Sequence, residues 1–105
     1  MIDWSVCKVE EFSLEVDAEE IQEVGQQQLF PIRVFYKDGA LAFLKSVPIR
    51  SEFYLQLCQR EDWKKKLMTI LNHRVKEEIA GRIRAKQMRI GDKLEFMESG
   101  RNNIV

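Results

Sequence analysis

The stretch LFPIRVFYKDGALAFLKSV, residues 29–47, decides the fold of this chain. It contains two apolar, strand-like runs that are joined by the tripeptide KDG at 37–39. Asp-Gly is a dipeptide that tolerates the positive φ angles of a two-residue hairpin turn, and the runs on either side are rich in residues that favour strands. The sequence therefore predicts a β-hairpin over 29–47.

Counting back from the turn gives the expected register of this hairpin. The pairs are Tyr36 with Leu41, Val34 with Phe43 and Ile32 with Lys45 on one face, and Phe35 with Ala42 and Arg33 with Leu44 on the other. Apolar side chains are frequent on both faces. A hairpin of this kind needs cover on both sides, from a helix layer on one and from a second sheet, a helix or a subunit on the other.

Weaker patterns surround the hairpin. Residues 11–16 alternate apolar and polar side chains, which predicts a strand, and a capping-box spacing predicts a short helix over 18–27. A second short helix is expected over 51–59 with Phe53, Leu57 and Cys58 facing inward. Helix-forming residues dominate 62–89, and the imperfect alternation of 93–97 suggests a final strand.

Length and composition favour one small domain. The chain has 105 residues, of which 45% are hydrophobic, enough for one core without disulfides or a metal. We predict a single α+β domain over 1–105. Its small antiparallel sheet is centred on the 29–47 hairpin and packs against a long basic C-terminal helix and two shorter helices.

The same composition limits the compartment. No apolar run approaches the roughly 18 residues of a membrane span, and the start of the chain lacks the basic-then-apolar pattern of a secretory signal. Cys7 and Cys58 lie next to apolar neighbours, as is usual for reduced core thiols. These features predict a cytoplasmic protein that contacts no membrane.

The formal net charge of zero hides a strong asymmetry. Residues 1–28 contain eight acids and one base, a net charge of −7, whereas 64–89 contain nine bases and two acids, a net charge of +7. On a helical wheel, one polar face of the long helix forms what we call the basic ridge: Lys65, Lys66, His73, Lys76 and Arg84.

Three interpretations of the basic ridge stay open. It is a solvated face neutralised by the acidic part of the same chain, a binding surface for the phosphates of a nucleic acid, or a docking site for the acidic segment of a second copy. The long helix contains no aromatic residue between Lys64 and Arg89 on which a base would stack, which favours the first interpretation.

An apolar stripe also runs along the long helix, at every fourth position: Trp63, Leu67, Leu71, Val75, Ile79 and Ile83. Each step of four overshoots a full turn by about 40°, so the stripe winds around a straight helix. Either the helix bends near Asn72 or Gly81, or the two halves of the stripe have different partners. In the second case Val75, Ile79 and Ile83 form a surface for a protein partner or a dimer.

Groups for catalysis are scarce. One histidine and two separated cysteines do not supply a structural zinc site, and no phosphate-binding or nucleophile motif occurs. His73 and Glu77 have helical i, i+4 spacing, a weak signal for general-base chemistry. We assign no catalytic residue, metal, cofactor or small-molecule substrate. The sequence favours a non-enzymatic interaction or regulatory protein acting through a protein partner or as a homodimer, with nucleic-acid binding as the alternative.

Overall fold

The computed structural model describes the backbone of residues 2–104 and the side chains of residues 2–88. Its strands and helices are β1 (Phe12–Val16), β2 (Gln22–Val24), β3 (Gln27–Tyr36), β4 (Leu41–Arg50), α1 (Ser51–Cys58) and α2 (Trp63–Ile104). Single 3₁₀ turns at Val9–Glu11 and Ala18–Glu20 precede β1 and β2. An antiparallel sheet with two helices in this described part confirms the α+β class.

β3 is the central strand of the sheet. β4 pairs along its whole length on one side, while β1 and β2 share the other side and pair with its C-terminal and N-terminal halves. Between them, Asp17 N donates a hydrogen bond to Pro31 O at 3.1 Å. β1 and β2 therefore form one edge of the sheet, which the 3₁₀ turn at Ala18–Glu20 interrupts.

The predicted register holds in the middle of the hairpin, where the pairs are Ile32 with Lys45, Arg33 with Leu44 and Val34 with Phe43. A β-bulge after Val34 then shifts the pairing by one residue and places Phe35 opposite Leu41. Two predicted pairs next to the turn are therefore wrong: Tyr36 with Leu41 and Phe35 with Ala42.

The loop of the hairpin has three residues rather than two. Tyr36 O accepts a hydrogen bond from Gly39 N at 2.8 Å, and Tyr36 N donates to Ala40 O at 2.9 Å. Gly39 has a φ of +85°, whereas Asp38 does not enter the positive region. This is the pattern of a type I turn closed by a glycine bulge. Asp38 instead accepts a hydrogen bond from Ala40 N through Oδ1, at 2.9 Å.

Residues 18–27 do not form the predicted helix. The capping signal at Asp17 yields only one 3₁₀ turn, and the Asp17 side chain caps no backbone group. The chain then enters β2 and turns back into β3 through Gly25, whose φ is +62°, and Gln26. A ten-residue helix is marginal on its own, and pairing with β3 satisfies the same backbone groups.

The predicted break at residues 90–92 and the strand over 93–97 are also wrong. The backbone of α2 is helical from Trp63 to Ile104, so the helix begins one residue after the predicted start at 62 and extends beyond the predicted end at 89. A single glycine costs a helix only about 1 kcal/mol relative to alanine, which does not end it. Lys, Leu, Glu and Met, which dominate 93–97, also favour a helix.

The core lies between one face of the sheet and the helices. Its buried members are Phe30, Ile32 and Val34 of β3, Phe43, Val47 and Ile49 of β4, Leu57 of α1, and Leu67, Leu71, Val75 and Ile79 of α2. The opposite side of the sheet, which we call the outer face, carries Ser13, Glu15, Gln22, Val24, Gln27, Leu29, Pro31, Arg33, Phe35, Leu41, Leu44, Ser46, Pro48 and Arg50. The buried side chains of both helices pack on the core side, and only at the end of β4 does an outer-face residue, Pro48, line a cavity together with helix residues.

The N-terminal segment closes one end of the core. Trp4 stacks on Phe12 with ring centroids 5.1 Å apart, and the Arg82 guanidinium lies 4.1 Å from the centroid of Phe43 and 5.7 Å from that of Trp4. Gln87 Nε2 donates to the backbone oxygen of Ser5 at 3.3 Å. These contacts join Trp4 and Ser5, near the start of the chain, to Arg82 and Gln87 of α2.

Candidate interaction groove

A groove runs between α1 and the first turns of α2. It consists of two adjoining cavities of about 440 and 400 Å³ that share Phe53, Gln56 and Ile70. Leu57 lines the first cavity, and Ile49 lines the second. The floor of the groove is therefore continuous between the two cavities, and Phe53, Leu57, Ile70 and Ile49 make it largely apolar, with Gln56 as a polar member.

The position of α1 explains why the groove is open. Leu57 is buried, and the ring of Tyr54 meets Phe30 edge to face at a centroid distance of 5.4 Å. These two residues turn the same side of α1 toward the core. Phe53, which we expected to face inward, is 48% exposed in the groove, and Cys58 is only half-buried. Neither Cys7 nor Cys58 forms a disulfide.

Basic side chains surround the apolar floor. Four bases and one acid line the two cavities: Arg50, Arg60, Lys66, Arg74 and Glu52. Arg60 Nε lies 3.1 Å from Asp62 Oδ1, and this hydrogen bond lowers the pKa of Asp62. Among residues 2–88, no carboxylate lies within 4 Å of the cationic groups of the other three bases. We call the whole arrangement the basic groove.

The residues of the predicted basic ridge are all exposed: Lys65, Lys66, His73, Lys76 and Arg84. His73 Nε2 lies 2.9 Å from Glu77 Oε1, so the expected i, i+4 pair forms on the surface. Lys66 also lines the basic groove, whereas Arg84 lies 18 residues further along α2, roughly 27 Å away, beside the N-terminal segment. The ridge therefore joins the groove at one end only.

The acidic segment does not neutralise the long helix through close ion pairs. Within residues 2–88, its two paired carboxylates bind bases of the hairpin: Glu15 binds Arg33 of β3 at 2.7 Å, and Glu11 binds Lys37 of the loop. The hydrogen bond from Lys37 is the main reason that the pKa of Glu11 is lowered. No described ion pair joins residues 2–28 to α2. Residues 2–28 and the basic ridge therefore form no close ion pair with each other.

The apolar stripe has several partners within the chain. Its first turns lie beside α1, its middle lies over the sheet, and Ile83 lies beside Cys7 and Val9 of the N-terminal segment. Because the covering element changes along the helix, the stripe winds without a break at Gly81. Val75 and Ile79 are 3% and 2% exposed, so they are not available as the partner surface considered from the sequence. Ile83 is partly buried against the same core.

Other kinds of site are not formed by the part of the chain that the structure describes. No three histidine, cysteine or carboxylate side chains there converge as they would around a metal ion. Within the described residues, neither helix contains an apolar segment long enough to cross a membrane.

Sequence reasoning missed part of the groove. Arg50 and Arg60 end β4 and follow α1, and only the packing of α1 brings them next to α2. Arg74 contributes to the positive charge of the long helix but is not a member of the predicted basic ridge. One feature of the sequence could have predicted that Phe53 is exposed. Tyr54 and Leu57, at i, i+3 spacing, already fill the inward side of this short helix.

No protein-family model matches this chain, and no curated protein or solved structure shows significant similarity to it.

Proposed function

We propose that this chain is a small, non-enzymatic cytoplasmic protein that binds an acidic, amphipathic segment of a partner protein in the basic groove. The observation that carries the proposal is the combination of an apolar floor with a basic rim between α1 and α2. Exposed aromatic anchors and arginines are the residue types that dominate binding energy at protein interfaces. Phe53 and Arg74 supply both types at one place.

Charge supports an acidic partner over a neutral one. A cationic rim attracts an anionic segment from a distance and speeds association, in a way that falls with ionic strength. Glu52 is the one acid among the lining side chains and four are bases, so the lining carries a net positive charge. The apolar floor supplies affinity that salt does not screen. A segment that combines Asp or Glu with Leu, Ile or Phe meets both requirements.

Two matched double variants test this proposal. In the groove variant, Lys66→Glu and Arg74→Glu invert two rim charges, and in the ridge variant, Lys65→Glu and Lys76→Glu make the same charge change outside the two cavities. A random library of short displayed peptides is first selected on the wild-type protein. We expect enriched peptides to carry both acidic and apolar residues.

The groove variant should weaken binding of these peptides by more than about tenfold, and the ridge variant by about threefold or less. Replacing Phe53 with Ser should weaken it at high salt as well. Neutral or basic enriched peptides, no enrichment, or equal losses in both double variants would contradict the proposal.

Nucleic-acid binding is the second candidate function, and the exposure of the whole basic ridge supports it. In that case each Lys or Arg bound to a phosphate releases a counterion, so affinity falls steeply with salt. A Lys66→Glu, Lys76→Glu, Arg84→Glu triple variant should then lose binding to both DNA and RNA. If the wild-type protein shifts neither polymer at low salt, this candidate fails.

A further inference from the structure

Half of the side chains on the outer face of the sheet are apolar. Val24, Leu41 and Leu44 are each more than half exposed on it, and Leu29, Pro31 and Phe35 are partly exposed. The helices pack on the other side of the sheet, so nothing within the described side chains covers this surface. Phe35 and Leu41 are paired, and Leu44 lies in the next pair on this face of the two strands. Exposed apolar neighbours of this kind are typical of an interaction site.

A protruding side chain and a hollow lie next to each other on the outer face. Leu44 is 67% exposed. It borders a hollow of about 390 Å³, whose floor includes Pro31 and Ser46 and whose rim includes Asp17 and Glu20. A two-fold axis beside Leu44 would bring the leucine of each copy over the hollow of the other. An isologous contact of this kind needs only one self-complementary surface.

The charges of the outer face favour contact with itself. Arg33 and Glu15, which lie near its centre, already pair with each other at 2.7 Å, so a second copy meets no unpaired charge there. Asp17 and Glu20 stand at the rim, where water reaches them. By contrast, the basic ridge and the acidic segment each repel their own copies.

We propose that the outer face is the interface of a two-fold symmetric homodimer, in which Leu44 of each copy packs into the hollow beside Leu44 of the other. This proposal is independent of the proposed function, because the hollow beside Leu44 and the basic groove share no lining residue. Dimerisation leaves both grooves open and doubles the number of binding sites per particle.

The size of the outer face determines the affinity that we expect for the dimer. Ten residues of β3 extend over about 33 Å, and three strands abreast span about 14 Å. The flat area is therefore on the order of 450 Å² per copy, at the low end for specific interfaces. We expect a reversible dimer with a micromolar dissociation constant and an association that salt does not weaken, because the contact is mainly apolar.

The experiment is sedimentation velocity on the full chain from about 5 to about 500 µM, a range that brackets a weak dimer. Two exposed leucines provide a matched pair of variants: Leu44→Glu on the outer face, and Leu55→Glu on α1, where Leu55 is 64% exposed. We expect the wild-type protein and Leu55→Glu to become dimeric with increasing concentration, and Leu44→Glu to stay monomeric over the same range.

Circular dichroism keeps this test interpretable, since both variants should retain the wild-type spectrum. Three outcomes would overturn the proposal: a wild-type protein that is monomeric at every concentration, a dimer that survives Leu44→Glu, or a dimer that dissociates when salt rises from about 0.05 to about 0.5 M. The last outcome would instead indicate contact between the acidic segment and the basic helix of two copies.

Discussion

Lys45 shows how one charged residue is accommodated on the core side of the sheet. It lies opposite Ile32 in the register, yet its Nζ reaches Glu78 Oε1 at 3.1 Å. The same carboxylate accepts from Arg82 Nε at 3.3 Å, and Arg82 in turn lies over Phe43. Glu78 therefore connects β4 to α2 and holds the arginine that covers the edge of the core.

Removing the charge of Glu78 should destabilise the protein at neutral pH. The hydrogen bond from Lys45 is the main cause that lowers its pKa in the folded state. A carboxylate whose pKa is lowered in the folded state stabilises the fold at pH values above its ordinary pKa, which is 4.5 for Glu78. This contribution is lost as the pH falls through the lowered pKa. We expect Glu78→Gln to cost about 0.5–1 kcal/mol at pH 7 in urea unfolding, and the difference to shrink toward pH 3.

Glu77→Gln is the matched control for this prediction. Glu77 and His73 form their pair on the exposed side of the same helix, where each side chain is more than half exposed. Exposed pairs contribute little, so the control should change stability by less than about 0.3 kcal/mol. Equal effects of the two substitutions at pH 7 would show that the contact with Lys45 does not stabilise the fold.

At the scale of single elements, two glycines should respond to the same substitution with opposite signs. Gly39 closes the hairpin with a φ of +85°, which an L side chain rarely adopts. Gly81 lies within α2, and nothing stands within 4 Å of a Cβ added there. We expect Gly39→Ala to destabilise by about 1–2 kcal/mol and Gly81→Ala to stabilise by about 0.5–1 kcal/mol.

Thermal unfolding followed by circular dichroism measures both glycine effects. One kcal/mol corresponds to a shift of roughly 4–8 °C in the melting temperature of a domain of this size. A loss of stability in Gly81→Ala would show that α2 does not continue as a regular helix through this position. An unchanged Gly39→Ala would show that the hairpin closes without the positive φ angle.

The sequence predicted those elements whose signals are repeated along the chain. The two strands of the hairpin and the start of α2 at Trp63 depend on long apolar patterns, and both were predicted correctly. The segment 18–27 failed because its helix signal was a single capping motif, which pairing with β3 outweighed. No residue pattern near Val34 predicts the bulge. The three-residue loop shifts the pairing next to the turn by one residue, and the bulge restores the register from Val34 onward.

For the whole molecule, the placement of the apolar stripe makes a prediction about mass. Ile79 is buried against the chain's own sheet, and Ile83 packs against the same core. Replacing both with Ser should therefore lower the melting temperature markedly, since truncating a buried isoleucine costs about 2–5 kcal/mol, and should leave the sedimenting mass unchanged at equal concentration. A smaller sedimenting mass with an unchanged melting temperature would instead show that Ile79 and Ile83 lie at an interface between chains.

The candidate site was predictable only in part, for a reason that concerns the whole fold. The basic ridge depends on spacing within one helix, and its exposed residues were found from the sequence. The basic groove needs α1 to be placed against α2, which depends on contacts between residues far apart, such as Tyr54 and Phe30. The wheel of one helix contains no information about that contact.

The order of strands and helices along the chain has a consequence for biosynthesis. All four strands leave the ribosome before the part of α2 that covers them, because β4 ends at Arg50 and the last fully buried residue of the stripe is Ile79. At bacterial or eukaryotic elongation rates this interval lasts roughly 1.5–6 s. During that time the nascent sheet presents Phe30, Ile32 and Val34 without their helix, so chaperone occupancy on the growing chain should peak in this interval and end once α2 docks.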